Sequence, residues 1–388
     1  MRNIVTKILI LICLFISVAG FSQNKEYNPI ETAVPSLTIA PDARSGGMGD
    51  VGAATMPDAY SQYWNPAKYA FATSKASFAL SYTPWMRSVV NGISLLNAVG
   101  YYKLGIENNQ ALSASLRYFS IGDVYLADAQ GEFISTVAPS ELAVDIGYSR
   151  KLTETFSGSV VIRYLRANYS GIEDEGTSDG TFAADIAGYN ESYINIGKSE
   201  SLLGIGFNIS NVGGKISNGG YNRESFIPAN LRVGASLIYP LDEKNSLTIA
   251  ADLNKLLVPT PPVLKDGESI EDYRVRVLEY EKMSSFKGIF KSFGDAPGGF
   301  SEEMKEITWA LGLEYDYDSK FRLRTGYANE SAMKGNRKYL TFGTGLKINA
   351  FQLDAAYILA TNSSNPLDQT LRFSLAFDFE AIMKLLNK

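Results

Sequence analysis

Apolar and polar residues alternate with a period of two along most of the chain between residues 74 and 379. In one such run, 141–149, the apolar positions are Leu142, Val144, Ile146 and Tyr148. A helix would distribute these side chains around its axis, whereas an extended strand places them on one side. The pattern therefore predicts β-strands that each have one apolar and one polar face.

About fourteen runs of this kind follow one another, and each has about 9–12 residues. Strands of a soluble sandwich average about 5–6 residues, whereas a tilted strand that crosses a membrane needs about 9–11. The length of the runs, and the aromatic residues near their ends, therefore favour a membrane barrel over a sandwich. The predicted strands centre on Phe78, Val99, Leu116, Val144, Ile162, Ile186, Ile205, Val233, Ile249, Leu311, Leu323, Phe342, Leu353 and Phe373.

Short polar connections alternate with connections that are mostly longer. The short ones follow every even-numbered strand up to the twelfth, at 107–109, 152–154, 198–200, 242–245, 318–320 and 349–350. This alternation places short turns on one rim and long loops on the other, as in bacterial outer-membrane barrels. The predicted fold class is therefore all-β: a fourteen-stranded antiparallel transmembrane β-barrel whose two chain ends lie at the short-turn, periplasmic rim.

Four other segments lack the strand pattern. Residues 1–22 have the layout of a secretory signal peptide, because Arg2 and Lys7 precede the apolar stretch Ile8–Val18. Residues 259–303 interrupt the barrel between the ninth and tenth strands, and their apolar spacing predicts one or two short helices in an extracellular insert. The chain thus divides into a signal peptide (1–22), an N-terminal segment (23–73), a barrel (74–379) that includes the insert (259–303), and a C-terminal tail (380–388) at the periplasmic rim.

The amino-acid composition excludes several classes of catalytic and metal site. The 388 residues include no histidine and a single cysteine, Cys13, which lies in the predicted signal peptide. Ser-His-Asp and Cys-His catalytic systems are therefore excluded, as are zinc sites that need imidazole ligands. A formal net charge of −5 without a basic block argues against a nucleic-acid partner. The sequence predicts a protein that is not an enzyme, and it nominates no metal or cofactor site.

The polar faces of the predicted strands carry charges of both signs, and in a barrel these faces line the lumen. One interpretation is a network of paired charges around water and a plug; the other is an ion-selective pore, which would favour one sign. The mixture of signs favours the paired network. The charged positions are Arg117, Glu141, Asp145, Arg163, Arg232, Asp252, Glu314, Asp316, Arg322, Arg324, Lys347, Asp354, Arg372 and Asp378.

The N-terminal segment is rich in glycine and small residues. Its runs Ala40–Thr55 and Asp58–Lys68 resemble the hatch of FadL-type outer-membrane transporters, in which a glycine-rich stretch leads to an Asn-Pro-Ala motif. The resemblance implies that residues 23–73 form a periplasmic segment and a plug inside a fourteen-stranded barrel. The residues of the plug motif are Arg44, Gly46, Gly47, Gly49, Trp64, Asn65, Pro66 and Ala67.

Within that superfamily the mature chain resembles the PorV family, outer-membrane proteins of the type IX secretion system of Bacteroidetes. The runs 39–49 and 64–68 carry most of this resemblance. It implies a shuttle or adaptor, without catalytic residues, that binds the C-terminal signal domain of cargo proteins leaving the translocon SprA, also called Sov. It also implies delivery to the attachment complex, whose sortase PorU removes the signal and links many cargo proteins to outer-membrane lipopolysaccharide.

Large apolar residues in the insert are the candidates for partner binding, because an exposed apolar patch usually marks a contact site. Two interpretations stay open: the helical part contacts a partner, or it packs on the barrel mouth as a lid. An alternative function for the whole chain is a FadL-like uptake channel for hydrophobic small molecules. The candidate contact residues are Tyr273, Val277, Phe286, Ile289, Phe290 and Phe293.

Overall fold

The computed structural model describes residues 27–86, 92–105, 107–128, 130–169, 178–217, 224–265, 267–361, 365 and 367–386. The predicted signal peptide, 1–22, lies outside these residues.

Fourteen antiparallel strands close into one barrel, so the predicted fold class is confirmed. All fourteen predicted strand centres lie within these strands. Closure joins the first strand to the last, with Ser77 opposite Asp378 and Tyr82 opposite Phe373. The barrel strands are β1 Ala76–Pro84, β2 Ser94–Leu104, β3 Gln110–Ser120, β4 Ser140–Lys151, β5 Phe156–Asn168, β6 Ser178–Ile196, β7 Ser199–Gly213, β8 Asn230–Pro240, β9 Asn245–Leu256, β10 Ile307–Tyr317, β11 Phe321–Asn329, β12 Lys338–Ile348, β13 Phe351–Ala360 and β14 Leu371–Asp378.

Apolar side chains face outward and polar side chains face the lumen along the strands, as the period of two requires. Near the middle of β9, Ile249 is 48% exposed and lies between Leu237 of β8 and Leu313 of β10. The next residue, Ala250, and the carboxylate of Asp252 are buried on the inner side. The outer face therefore offers a continuous apolar surface to lipid.

The connections confirm the predicted alternation of short and long. Short turns join the even-numbered strands to their successors, for example 152–155 and 349–350. Two of the long loops carry small two-stranded ladders, one of Val124–Ala127 with Phe133–Val137 and one of Ile216–Ser217 with Glu224–Ser225. The long-loop rim is thus the structured end of the barrel.

Short helices occupy the plug, the insert and the tail, and no helix among the described residues is long and apolar enough to cross a membrane. In the plug these are the 3-10 helix Pro35–Thr38, α1 Ala43–Gly46, α2 Ser61–Trp64 and the 3-10 helix Pro66–Phe71. In the insert and tail they are α3 Ile270–Glu281, α4 Ser285–Lys291, α5 Phe300–Glu303, the 3-10 helix Met304–Glu306 and α6 Phe379–Leu386.

One detail of the predicted layout is wrong. The last strand ends at Asp378, and Phe379 instead begins helix α6, which lies against β1 and β14.

The first described residues of the N-terminal segment lie near the long-loop rim, because the amides of Asn28 and Ala33 donate to carbonyls of the long loops. The residues that precede them lie outside the described part of the chain, so the periplasmic position of the two chain ends stays a prediction.

Replacing Ile249 with arginine should lower the free energy of unfolding by about 2–4 kcal/mol, because the guanidinium would be placed near the middle of the lipid-facing surface. Leu241→Arg, in an exposed short turn, is the matched control and should cost about 0–1 kcal/mol near the interface. Urea unfolding in lipid vesicles measures both. Equal costs at the two positions would contradict the assignment of this face to lipid.

Candidate functional site

The plug is tied to the barrel wall by buried ion pairs that begin at Arg44. Its guanidinium lies 2.7 Å from Asp58 of the plug and 3.3 Å from Glu314 of β10. Glu314 also pairs at 2.6 Å with Arg324 of β11, which pairs at 2.7 Å with Asp354 of β13. One connected set of charges therefore joins the plug to three strands. Sequence reasoning placed the strand charges on the inner face but missed the role of Asp58.

Asp50 forms a second contact between the plug and the barrel wall, and it was not among the predicted motif residues. Its carboxylate pairs with Arg372 of β14 and accepts a hydrogen bond of 2.5 Å from the hydroxyl of Tyr339 in β12. Asp50 adopts a left-handed backbone conformation with φ of 64°, which aims its side chain at the wall. The usable sequence signal was the inward-facing Arg372, which needs an acidic partner once it is buried.

The glycines of the motif allow the plug to approach the wall closely. A Cβ atom at Gly47 would lie 2.9 Å from the Cα of Gly343 in β12. Gly49 has φ of +75°, and a Cβ there would lie 2.7 Å from the backbone nitrogen of Tyr327. Side chains larger than hydrogen would push this turn away from the wall.

The Trp-Asn-Pro-Ala part of the motif holds the plug together internally. The indole nitrogen of Trp64 donates to Asp42 at 2.6 Å. The side-chain amide of Asn65 donates to the carbonyls of Ala53 and of Gly188 in β6, while its oxygen accepts from the amide of Ala67. Pro66 starts the following 3-10 helix. The structure thus brings the predicted motif residues into one plug, with Asn65 as its contact to β6.

The insert is fixed to the barrel mouth by a second cluster of ion pairs. Lys255, at the end of β9, lies 2.7 Å from Glu306 and 3.2 Å from Glu303. Lys334, in the loop after β11, lies 2.6 Å from Glu302 and 2.9 Å from Glu306. The carboxylate of Glu302 also accepts from the side-chain amide of Asn28. The base of the insert, the N-terminal segment and the barrel mouth therefore form one unit.

The carboxyl group of Asp295, at the base of the insert, has a raised pKa. Burial, with Glu303 and Glu306 nearby, raises its pKa from 3.8 to about 6, although the amide of Thr260 donates to it. Its second oxygen is buried without a hydrogen-bond partner in the described residues. The charged form is therefore the less stable one in the packed insert.

The outer side of α4 is apolar and exposed. Phe286, Phe290 and Phe293 are 68%, 66% and 55% exposed, and we call these three residues the insert aromatic surface. The rings of Phe286 and Phe290 meet edge to face with centroids 5.0 Å apart. On the opposite side, the backbone at Gly288 packs against Phe226 and Pro259. The helix thus packs one side on the barrel mouth and exposes Phe286 and Phe290 on the other. Phe293 follows the helix, and its ring centroid lies 5.9 Å from Nζ of Lys255 at the end of β9.

The remaining predicted contact residues are less accessible. Ile289 is half-buried, and Tyr273 and Val277 are half-buried on the separate helix α3, where Tyr273 lies under the guanidinium of Arg276. Phe300 and Met304 are exposed but were missed by sequence reasoning, although they lie at the end of the same insert. The structure is compatible with both partner contact and a lid, since the insert packs on the barrel mouth and also exposes aromatic rings.

The closed fourteen-stranded barrel, its apolar exterior and the internal plug define a plugged β-barrel of the outer-membrane type. The family model for the type IX secretion system protein PorV matches residues 22–263, which is more than half of the chain. The chain therefore belongs to the PorV family, as the resemblance of its plug segment implied.

Solved structures support the fold. The toluene transporter TodX of Pseudomonas putida superposes with a TM-score of 0.50 and 12% identity, over 92% of this chain and 99% of that chain. A second TodX structure gives 0.51 and 11%, over 87% and 98%. The comparison with curated protein sequences gave no match.

Arg44→Gln should loosen the plug, because it leaves Asp58 and Glu314 buried beside fewer positive charges. Breaking a buried pair in this way costs about 3–5 kcal/mol. Urea unfolding should show the loss, and limited proteolysis should cut the plug segment faster. Lys320→Gln, which removes an exposed pair with Asp318, should change neither measurement. A plug as resistant as wild type would contradict the role of Arg44.

Asp295→Asn should remove a pH-dependent loosening of the insert. The native carboxyl group holds its proton more tightly than the unfolded chain does, so the stabilisation from protonation is lost as the pH rises from about 4 through about 6. After correction for intrinsic rates, hydrogen exchange of 285–306 should show less protection at pH 8 than at pH 5 in wild type, but equal protection in the variant. Glu279→Gln, at an exposed position of α3, should behave as wild type.

Proposed function

We propose that this protein is an outer-membrane adaptor of the type IX secretion system that binds the C-terminal signal domain of cargo leaving the translocon. It then delivers the cargo to the cell-surface attachment complex. Membership of the PorV family supports the secretion role. The observation that carries the adaptor role is the insert aromatic surface, three exposed phenylalanines on and just after α4 in an insert whose base is fixed by ion pairs.

Geometry favours the insert as the contact element. Phenylalanine side chains contribute strongly at interfaces, and a fixed helix loses little conformational entropy when a partner binds. The ion pairs of Lys255 and Lys334 fix residues 302–306, which follow α4, to the barrel, and this limits the positions that the rings can adopt. The long-loop rim then faces the cell exterior, where the translocon SprA releases cargo and the sortase PorU acts, and the short-turn rim faces the periplasm.

Serine at Phe286, Phe290 and Phe293 together should reduce co-purification of the translocon or of cargo with a C-terminal signal domain at least tenfold. These side chains are exposed and their loss leaves no cavity, so barrel assembly should be unchanged. The test is a pull-down of the tagged full chain from outer membranes, with partners quantified by mass spectrometry.

The matched control is the triple serine variant of Tyr125, Phe133 and Ile134, which are equally apolar and exposed on another long loop. This variant should retain the partners. Equal recovery of translocon and cargo by the insert variant and by wild type would refute the contact role. Loss in both variants would assign partner binding to the long-loop rim in general rather than to the insert.

A second candidate, FadL-like uptake of a hydrophobic small molecule, is supported by a luminal cavity of about 200 Å³ above the plug. Two features weigh against it. The plug is joined to four strands by ion pairs, and the cavity wall carries several arginines. Purification of the barrel alone, with a hydrophobic molecule bound in the cavity, would favour uptake over the adaptor role.

A further inference from the structure

The cavity lies between the plug, the N-terminal segment and the long-loop ends of the strands. Its floor includes Tyr60, Tyr63 and Trp64 of the plug, and its wall includes Asn230 and Thr308, where β8 and β10 begin. Its volume of about 200 Å³ suits a compact group rather than a long chain. Access is from the long-loop side, because the plug fills the lumen below.

The charged side chains that line this cavity do not all form ion pairs. Six cationic side chains and four carboxylates line it among the described residues. Four of the cations pair with the four carboxylates of the same lining, and the two left over are Arg117 of β3 and Arg232 of β8. The four pairs are Arg163–Asp145, Arg337–Glu330, Arg372–Asp50 and Lys334–Glu306.

Arg117 is 5% exposed, and no carboxylate of the described residues pairs with it. Its two terminal nitrogens donate to the carbonyls of Ser36 and Ile39 at 2.9 and 2.7 Å. These acceptors are neutral, so they orient the guanidinium without forming an ion pair with it. Its carbon lies 4.7 Å from the ring centroid of Tyr63.

Arg232 is 9% exposed and also lacks a carboxylate partner. Its Nε donates to Asn254 at 2.7 Å, and its Nη1 makes a long contact of 3.4 Å with the carbonyl of Tyr63. Its carbon lies 5.0 Å from the ring of Tyr63 and 4.5 Å from that of Trp64. Two buried guanidiniums therefore share one aromatic ring at the cavity.

We propose that Arg117, Arg232 and Tyr63 form a binding site for an anionic group, a carboxylate or a phosphate, that enters from the long-loop side. Cation–π contacts at an aromatic ring contribute about 0.5–2 kcal/mol, less than the several kcal/mol that burying a charge costs. An anion in the cavity gives these guanidiniums the charged acceptor that neither has, and charge-assisted hydrogen bonds are stronger than those to neutral carbonyls. This inference concerns the lumen and does not depend on the adaptor role of the insert.

Intrinsic tryptophan fluorescence can report on binding at this site. It has three tryptophans, Trp64, Trp85 and Trp309, and all of them line the cavity. Titration of the purified full chain in nonionic detergent at low salt, with butyrate in one arm and inorganic phosphate in the other, should give a saturable change in tryptophan emission. Saturation by one probe alone identifies whether the site takes a carboxylate or a phosphate.

Arg117→Gln and Arg232→Gln should each weaken this binding at least tenfold, whereas Arg232→Lys, which keeps the charge, should retain part of it. Arg322→Gln is the matched control, because Arg322 also faces inward but lies outside the cavity lining and pairs with Asp316. Heat-dependent gel migration verifies that each barrel is folded.

The proposal is overturned if neither probe gives saturable binding to wild type. It is overturned as well if folded Gln variants bind as tightly as wild type, or if Arg322→Gln weakens binding as much as they do. If a Gln variant fails to fold, wild-type saturation and the partial affinity of Arg232→Lys decide the question.

Discussion

Backbone hydrogen bonding in hydrocarbon is the constraint on which the rest of the structure depends. Water is absent there, so each peptide group of a strand that crosses the membrane needs a partner on a neighbouring strand. The pairing of Ala76–Pro84 with Leu371–Asp378 closes the ladder and removes both edges. Closure in turn divides each strand into a lipid side and a lumen side, and this division accounts for the period of two that runs through the sequence.

A closed lumen of this size creates an electrostatic problem that the plug solves. Charged side chains that point inward are shielded from bulk water once the lumen is filled, so each needs a partner. Arg44 and Asp50 of the plug supply charges to Glu314 and Arg372 of the wall. The plug is therefore part of the charge balance of the barrel, and the glycines that let it lie against the wall are as necessary as the charges. Arg117 and Arg232 stand out because neither forms an ion pair with a described residue.

The strands could be predicted because one physical rule acts on every one of them, and all fourteen centres were found. The path of the N-terminal segment could not, since its position depends on single tertiary contacts such as that between Asn28 and Met333. The partners of inward charges were hidden for the same reason: the need of Arg372 for an acid was readable, but its pairing with Asp50 depends on a left-handed turn in the plug. In the insert, spacing indicated helices, while only the fold distinguishes the exposed Phe286 from the half-buried Ile289.

The same constraints indicate where a protein partner can bind. The outer face of the strands is committed to lipid, and the lower lumen is committed to the plug. The long-loop rim combines exposed apolar side chains with a structured backbone, on the side where the loops are largest. Within that rim the insert differs from the hairpin at Tyr125, because its base is joined by Lys255 and Lys334 to the barrel and to the N-terminal segment. A contact on α4 is therefore mechanically connected to the mouth of the lumen, which a contact on a free hairpin is not.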